Sequence, residues 1–258
     1  MNENNLIEYY NKFNEDKRFN SRHGKVEYIT TMKYIKKYLN NFSNPKILDI
    51  GAGTGKYSIP LALLGYDVTA LELVKHNLRV IEKKSSQVKA YLGNAIDLSQ
   101  FDSESFDLIL LFGPMYHLIS DQDKIKALSE AKRVVKKNGI IMVAYIMNEY
   151  AIITHGFMDN NIKDAINNHL VDKSFHITPK ENDLYSYVRF ADIDNFNKMV
   201  GLKRKKILTT DGPANYIRKY LNKMDDETFE LFLNYHFKTC ENIELLGASA
   251  HVLDILTK

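Results

Sequence analysis

The sequence predicts an α/β fold: a doubly wound, mostly parallel sheet with helical lid insertions. Three observations carry that reading. Strand-like and helix-like segments alternate between residues 46 and 145. The strands among them are apolar without polar alternation, the pattern of strands buried on both faces of a parallel sheet. A glycine-rich turn stands between the first strand and the first helix of the series, at the edge where open α/β sheets bind ligands.

The elements follow in order. Leu6, Tyr9, Tyr10 and Phe13 fall at helical spacing, as do Val26, Ile29, Tyr34, Ile35, Tyr38 and Leu39, with a charged break from Asn14 to Gly24. Asn44-Pro45 marks a turn. Lys46 to Ile50 reads as a strand, Lys56 to Leu64 as a helix, Val68 to Leu71 as a strand, Val74 to Ser85 as a helix and Val88 to Leu92 as a strand. Phe106 to Phe112 is a fourth strand, and Asp121 to Lys137 an amphipathic helix ended by Asn138-Gly139. Gly139 to Tyr145 is a fifth strand. The rhythm then breaks, with no clear strand from Asn148 to Asp183. Ala191 to Val200 reads as a helix, Lys203 to Thr209 as a strand and Asp211-Gly212-Pro213 as a turn. Asn215 to Met224 and Asp226 to Glu241 read as helices, and His251 to Leu256 as a last strand. The expected organisation is one domain over 1–258, with a helical lid at 1–43 and a ligand-binding core at 44–147. Residues 148–183 and 212–247 are substrate-lid insertions, and 184–211 and 248–258 complete the sheet.

Composition sets limits on function. Of 258 residues 45 % are apolar and 26 % charged, which is ordinary globular usage and excludes disordered or collagen-like chains. A net charge of +3 supplies no strong field for a polyanion, so a nucleic-acid partner is not expected. Cys240 is the only cysteine. No intramolecular disulfide is possible, and a reducing, cytoplasmic compartment is expected. The stretch Met1 to Asn5 is polar rather than signal-like, and no apolar run nears the ~20 residues that span a membrane. A monomer or homodimer is expected.

The stretch Asp49-Ile50-Gly51-Ala52-Gly53-Thr54-Gly55 is the most informative. Glycine there tolerates positive φ and lets a ligand approach the bare backbone. A Walker loop requires Ser or Thr after Gly-Lys, and here Tyr57 follows Lys56. A dinucleotide fingerprint requires its third glycine where Lys56 stands. S-adenosylmethionine carries no phosphate, and Gly-x-Gly-x-Gly after a strand suits its ribose and amino-acid portion. Glu72, at the tip of the second strand about twenty residues on, is placed to accept from both ribose hydroxyls. Asn94, in Gly93-Asn94-Ala95-Ile96-Asp97, offers a side-chain amide to an adenine edge or forms a plain turn.

At this point the sequence resembles the class I S-adenosylmethionine-dependent methyltransferases, a likeness running from about Lys46 to Tyr145 and resumed at His251 to Thr257. Leu48 through Gly55, Glu72, Asn94 with Asp97, Phe106-Asp107-Leu108-Ile109 and Leu128 through Gly139 carry it. The resemblance implies a Rossmann-like, seven-stranded sheet with an antiparallel last hairpin. It places Asp49, Gly51, Ala52, Gly53 and Gly55 around the methionine portion, Glu72 and Leu73 on the ribose, and Asn94 and Ala95 near adenine. The family usually has Asp where this chain has Asn94. Gly113-Pro114-Met115-Tyr116-His117-Leu118 is similar to a bacterial subgroup of small-molecule type, so the family implies the reaction and not the acceptor.

Methyl transfer is an in-line displacement in which proximity and orientation do most of the work. Phe112 and Gly113 end the fourth strand, which puts Tyr116 and His117 beside the methyl group. Gly113-Pro114-Met115-Tyr116 lacks the polar residue before proline found in base-nitrogen methylases. His117 is the candidate base and Tyr116 a wall or hydrogen-bond donor. Tyr9, Tyr10 and Tyr28 fit an aromatic lid or plain packing, and Arg22 a partner for the methionine carboxylate or a solvated cation. His155, His169, His176, His236 and His251 lack close-set ligand spacing, so no metal is expected. Ile152, Phe157, Phe175, Tyr216, Phe232 and Tyr235 suit an enclosed acceptor pocket. The expected activity is methyl transfer from S-adenosylmethionine, leaving S-adenosylhomocysteine, to an O, N or S atom of a small molecule. The alternatives are a tRNA-modifying methyltransferase acting at a wobble base, with Lys203-Arg204-Lys205-Lys206 as its basic cluster, a non-catalytic cofactor-binding protein, and a nicotinamide-dependent oxidoreductase.

Overall fold

The computed structural model describes residues 6–9 and 21–258; Tyr10, Phe13 and most of the expected charged break lie outside them. Seven strands form one sheet: β1 (Lys46–Ile50), β2 (Asp67–Glu72), β3 (Lys89–Leu92), β4 (Phe106–Leu111), β5 (Val135–Ile146), β6 (Lys203–Thr209) and β7 (His251–Thr257). Their spatial order is β3-β2-β1-β4-β5-β7-β6. The chain starts in the middle at β1, winds outward to β3 and returns to β4, so a topological switch lies between β1 and β4. Pairing is parallel from β3 through β5 and antiparallel from β5 to β7 and from β7 to β6. The Rossmann-like, mostly parallel sheet with an antiparallel last hairpin is therefore the observed fold.

Strand periodicity builds the core. Ile109 and Leu111 enter one buried cluster with Leu48, Ile50, Ile141 and Val143. Leu108 and Leu110 enter a second with Ile47, Val68, Ala70 and Met142. Successive side chains of a strand point to opposite faces, so one uninterrupted apolar run feeds two cores. At roughly 2 kcal/mol per fully buried aliphatic side chain, these central strands anchor the molecule.

The helix Arg22–Leu39 packs along the second cluster through Ile35 and Leu39. It starts two residues before the expected break ends, because Ser21 caps it by accepting from the Gly24 N–H at 3.4 Å. Elsewhere the elements depart from expectation for local reasons. The helix Asp121–Val134 stops at Val134, not at Asn138-Gly139. Val135 is extended (φ −74°, ψ 140°) and pairs with Phe106, which makes β5 twelve residues long with a register shift opposite Phe106 to Leu108. Gly139 is a packing glycine, since a Cβ there would meet Val135 Cγ2 at 2.6 Å and the Asp107 carbonyl oxygen at 2.9 Å. Between Asn215 and Met224 only Arg218–Leu221 is α-helical. The stretch after β5 holds a short helix, Asn148–Ala151, a π-helix, Ile152–Met158, and the helix Ile162–Asn167. No helix among the described residues is long and apolar enough to cross a membrane.

Candidate active site

The β1 loop is built to bring backbone close to a ligand. Gly51, Gly53 and Gly55 all adopt positive φ, at 72°, 57° and 85°. A Cβ on Gly51 would lie 2.6 Å from Pro114 Cδ, and one on Gly113 would lie 3.1 Å from the Gly51 carbonyl oxygen. The loops after β1 and β4 therefore touch, at Gly51, where a side chain would clash and φ is positive, and at Gly113, where one would fit only tightly. Gly55 serves the scaffold instead, for its missing Cβ makes room for Ile59 and Ile81.

Glu72 anchors the other side of the loop. Its buried carboxylate accepts from the Gly53 N–H at 2.8 Å through one oxygen and from the Val74 N–H at 2.8 Å through the other. Asp49, also buried, accepts from Ser58 Oγ at 2.5 Å. Asn94 turns its side-chain oxygen onto the Ile96 N–H at 3.2 Å, an Asx-type turn that presents the amide nitrogen as the donor end.

These residues open into one cavity of about 1140 Å³, its mouth included. Asp49, Gly51, Ala52, Gly53, Glu72, Leu73, Asn94, Ala95, Phe112, Gly113, Tyr116 and His117 all line it. Gly55, Tyr28 and Arg22 do not. Tyr28 sits one layer behind, its ring 5.6 Å from that of Tyr57, with Lys56 Nζ 4.8 Å from its centre. The Arg22 guanidinium pairs with Asp226 at 2.5 Å and lies over the Phe229 ring, in a separate hollow.

His117 is buried, and its Nδ1 lies 2.8 Å from the Leu184 carbonyl oxygen. A carbonyl only accepts, so Nδ1 carries the proton and Nε2 is the basic nitrogen of the neutral ring. Tyr116, Tyr185 and Tyr9 surround it: Tyr185 is 5.2 Å from the imidazole and 6.4 Å from Tyr9, to whose hydroxyl it donates at 3.2 Å. Tyr9 is thus the one expected lid tyrosine that the described residues place against this cluster.

The cavity continues past β4. Ala144 of β5, His251 and Leu253 of β7, Thr210 after β6, and Glu27 and Thr31 of the first helix line its far end. Glu27, Asp211 and His251 bring ligand-type atoms within 4.8 Å of one another. Sequence reasoning missed this trio because the three come from positions far apart in the chain. Asp211 read only as a turn residue, and His251 was weighed only for close-set zinc spacing. The signal that finds it is topological: β7 runs backwards, so its first residue stands at the carboxyl edge of the parallel strands. Ile152, Phe157 and Phe175 do not reach this cavity and line a shallower hollow with Glu149 and Arg189. Tyr216, Phe232 and Tyr235 do not line it either. These aromatic groups pack on one another, as Tyr150 with Tyr216 and Phe232 with Tyr235.

Residues 48–143 match the family model of a methyltransferase domain. That stretch, from the first strand to the fifth, is similar to methyltransferase domains. Among relatives, a ubiquinone biosynthesis O-methyltransferase of Rickettsia typhi is 29% identical over 144 residues, 53% of this chain and 56% of its own length. One of Pelagibacter ubique is 28% identical over 197 residues, 69% of this chain and 75% of its own. A demethylmenaquinone methyltransferase of Renibacterium salmoninarum is 34% identical over 99 residues, 38% of this chain and 40% of its own. The chain thus spans about half the length of the Rickettsia relative. A solved SAM-dependent methyltransferase of Thermotoga maritima, described as a possible histamine N-methyltransferase, superposes with a TM-score of 0.61 over 97% of each chain at 19% identity, a likeness of fold. The methyltransferase domain match takes in the glycine loop, Glu72, Asn94 and His117. Glu27, Thr210, Asp211 and His251, at the far end of the cavity, lie outside the matched stretch.

Proposed function

We propose that the chain transfers a methyl group from S-adenosylmethionine to a small-molecule acceptor. The observation that carries the reading is the Glu72 carboxylate, locked by the Gly53 and Val74 N–H groups beside a loop where side chains are excluded. A carboxylate only accepts, which suits it to the ribose hydroxyls. Gly51, Ala52 and Gly53 border the ribose and amino-acid portion, Leu73 flanks the sugar, and Asn94 with Ala95 faces adenine. Asp49 stands beneath the loop, where its charge suits an ammonium group. The bound cofactor supplies an electrophilic methyl on a sulfonium.

The chain's own work is placement. Phe112 and Gly113 border the donor end, and Tyr116 and His117 contact the acceptor next to it. Aromatic walls exclude water and attract a sulfonium cation. The relatives that act on quinone precursors are consistent with an apolar, ring-shaped acceptor. The tRNA reading loses support from the basic cluster: Arg204 pairs with Asp254 and Asp194, and Lys206 pairs with Glu241, which leaves Lys203 and Lys205 as the exposed members. Buried Cys240, kept as a free thiol, fits a cytoplasmic enzyme working as monomer or homodimer.

Calorimetry with S-adenosylhomocysteine tests the cofactor site. Micromolar binding is expected, and no heat with folded protein removes the proposal. Transfer of label from methyl-labelled S-adenosylmethionine to a metabolite pool tests turnover; binding without any transfer moves the chain to a non-catalytic role.

A further inference from the structure

Two imidazoles face the cavity, and their surroundings differ. His117 Nδ1 meets a neutral carbonyl. His251 Nδ1 lies 2.7 Å from Asp211 Oδ2 and 3.8 Å from Glu27 Oε2. Asp211 is fully buried, and the surrounding chain fixes it. It accepts from the His251 backbone N–H at 3.1 Å, from Asn215 Nδ2 at 2.7 Å and from Thr209 Oγ1 at 3.4 Å. A buried carboxylate against Nδ1 sets the tautomer, makes Nε2 the basic nitrogen, and stabilises the imidazolium that proton uptake creates. A carbonyl dipole gives that cation far less support.

The pair also stands in the right place. β6 ends at Thr209, opposite Val252, and β7 begins at His251, opposite Ile146 at the end of β5. Both groups therefore lie at the edge that carries the glycine loop, displaced along the sheet from the cofactor end by the width of β4 and β5. Thr31 and Thr210 add hydroxyls there, and Leu253 and Ala144 an apolar floor.

We infer that His251, backed by Asp211, is the general base of the acceptor site, and that the acceptor is a neutral phenolic hydroxyl. The inference rests on the methyl-transfer reading above. The hydroxyl oxygen attacks the methyl carbon; the C–O bond forms as the carbon–sulfur bond breaks, with its electron pair remaining on sulfur. The hydroxyl proton passes to His251 Nε2, and the Asp211 carboxylate stays ionised beside the new imidazolium. A phenol is the class that requires this help, being a poor nucleophile when neutral and a good one when ionised. Glu27 and Asp211 repel a carboxylate acceptor and leave a neutral ring the better fit. Asp211 Oδ2 already accepts two N–H groups, which favours a hydrogen-bonded pair over a metal ligand set.

The test uses the whole chain with catechol and 4-nitrocatechol as acceptors; the nitro group makes the hydroxyl acidic enough to ionise without a base. H251Q is expected to lose about 100-fold in kcat on catechol, the usual scale of a general base, and several-fold at most on 4-nitrocatechol. Its affinity for S-adenosylhomocysteine and its thermal midpoint should stay near wild type. D211N is expected to show the same selectivity in weaker form. Equal losses on both acceptors, or no loss, overturn the base assignment, as does turnover that requires a divalent cation and stops with chelator. If H251Q fails to fold, D211N carries the comparison with the same criteria. A wild type that binds S-adenosylhomocysteine but methylates neither phenol overturns the acceptor class while the cofactor reading stands. Absence of S-adenosylhomocysteine binding removes both.

Discussion

Gly51 holds φ at 72° with Pro114 pressed against the place a side chain would take. Gly51→Ala therefore adds backbone strain of about 1 kcal/mol to a direct clash. We expect it to weaken S-adenosylhomocysteine binding at least tenfold by calorimetry, with a lowered melting temperature; unchanged affinity would place the ligand elsewhere. His117→Ala should lower turnover about tenfold or more and leave cofactor affinity nearly intact, because His117 lies beyond the Glu72 end of the cavity. Equal loss of both would make the residue a scaffold for the Tyr116 and Tyr185 rings. Twelve of the residues expected from sequence do line one cavity, because glycine loops and strand-end carboxylates are local features. The sequence left Arg22 open between two readings because the partner of a long, flexible cation is a tertiary fact, here Asp226. His251 was missed because its neighbours Asp211 and Glu27 are distant in the chain.

At the scale of elements, the β6–β7 hairpin depends on a buried charge. Asp254 is wholly buried and accepts from Arg204 Nε at 2.6 Å, Arg204 Nη2 at 3.0 Å and Asn197 Nδ2 at 2.7 Å. Arg204→Leu leaves that carboxylate without its counter-ion, at an expected cost of ~3–5 kcal/mol in urea unfolding. A loss below 1 kcal/mol would show that water or Asn197 suffices. In the Asp226–Thr239 helix, His236 is fully buried. Burial holds its pKa down to about 4 from 6.5, against the opposing pull of Asp211. The unfolded chain takes up a proton below 6.5 and the folded ring does not until about 4. This group's effect on stability is therefore absent above pH 6.5, and stability falls as pH drops through that window. The drop is on the order of 3 kcal/mol. His236→Phe should flatten the pH dependence of unfolding between those limits, and an unchanged slope would assign it to other groups.

At the scale of the molecule, one cavity runs from the glycine loop to the β6–β7 end of the sheet. Because ligand binds the folded chain alone, S-adenosylhomocysteine at a hundred times its Kd should stabilise it by about 2.7 kcal/mol. For a chain of this size the melting temperature should rise by roughly 5–10 °C. No shift at saturating ligand would contradict a preformed site. The strands were legible because each apolar run is bounded by turns, while the antiparallel last hairpin came through the family resemblance and the strand order from the structure. The helical segments outside the sheet were not, for their apolar residues face one another in small clusters, such as Phe229 with Leu221 and Val26, whose partners no local period reveals.

The reversal of β7 has a consequence for how such an enzyme diversifies. It folds a strand's beginning, at His251, and the end of its neighbour, at Asp211, onto the same rim while the connection between them loops away from the donor end. Mutation, insertion or exchange within 211–250 can then remodel what is methylated without disturbing the loop that grips the donor. On the methyl-transfer reading, the centre of the sheet is a seam between a donor-gripping tool and an acceptor socket, and chimeras joined at that seam should keep the tool while changing the workpiece.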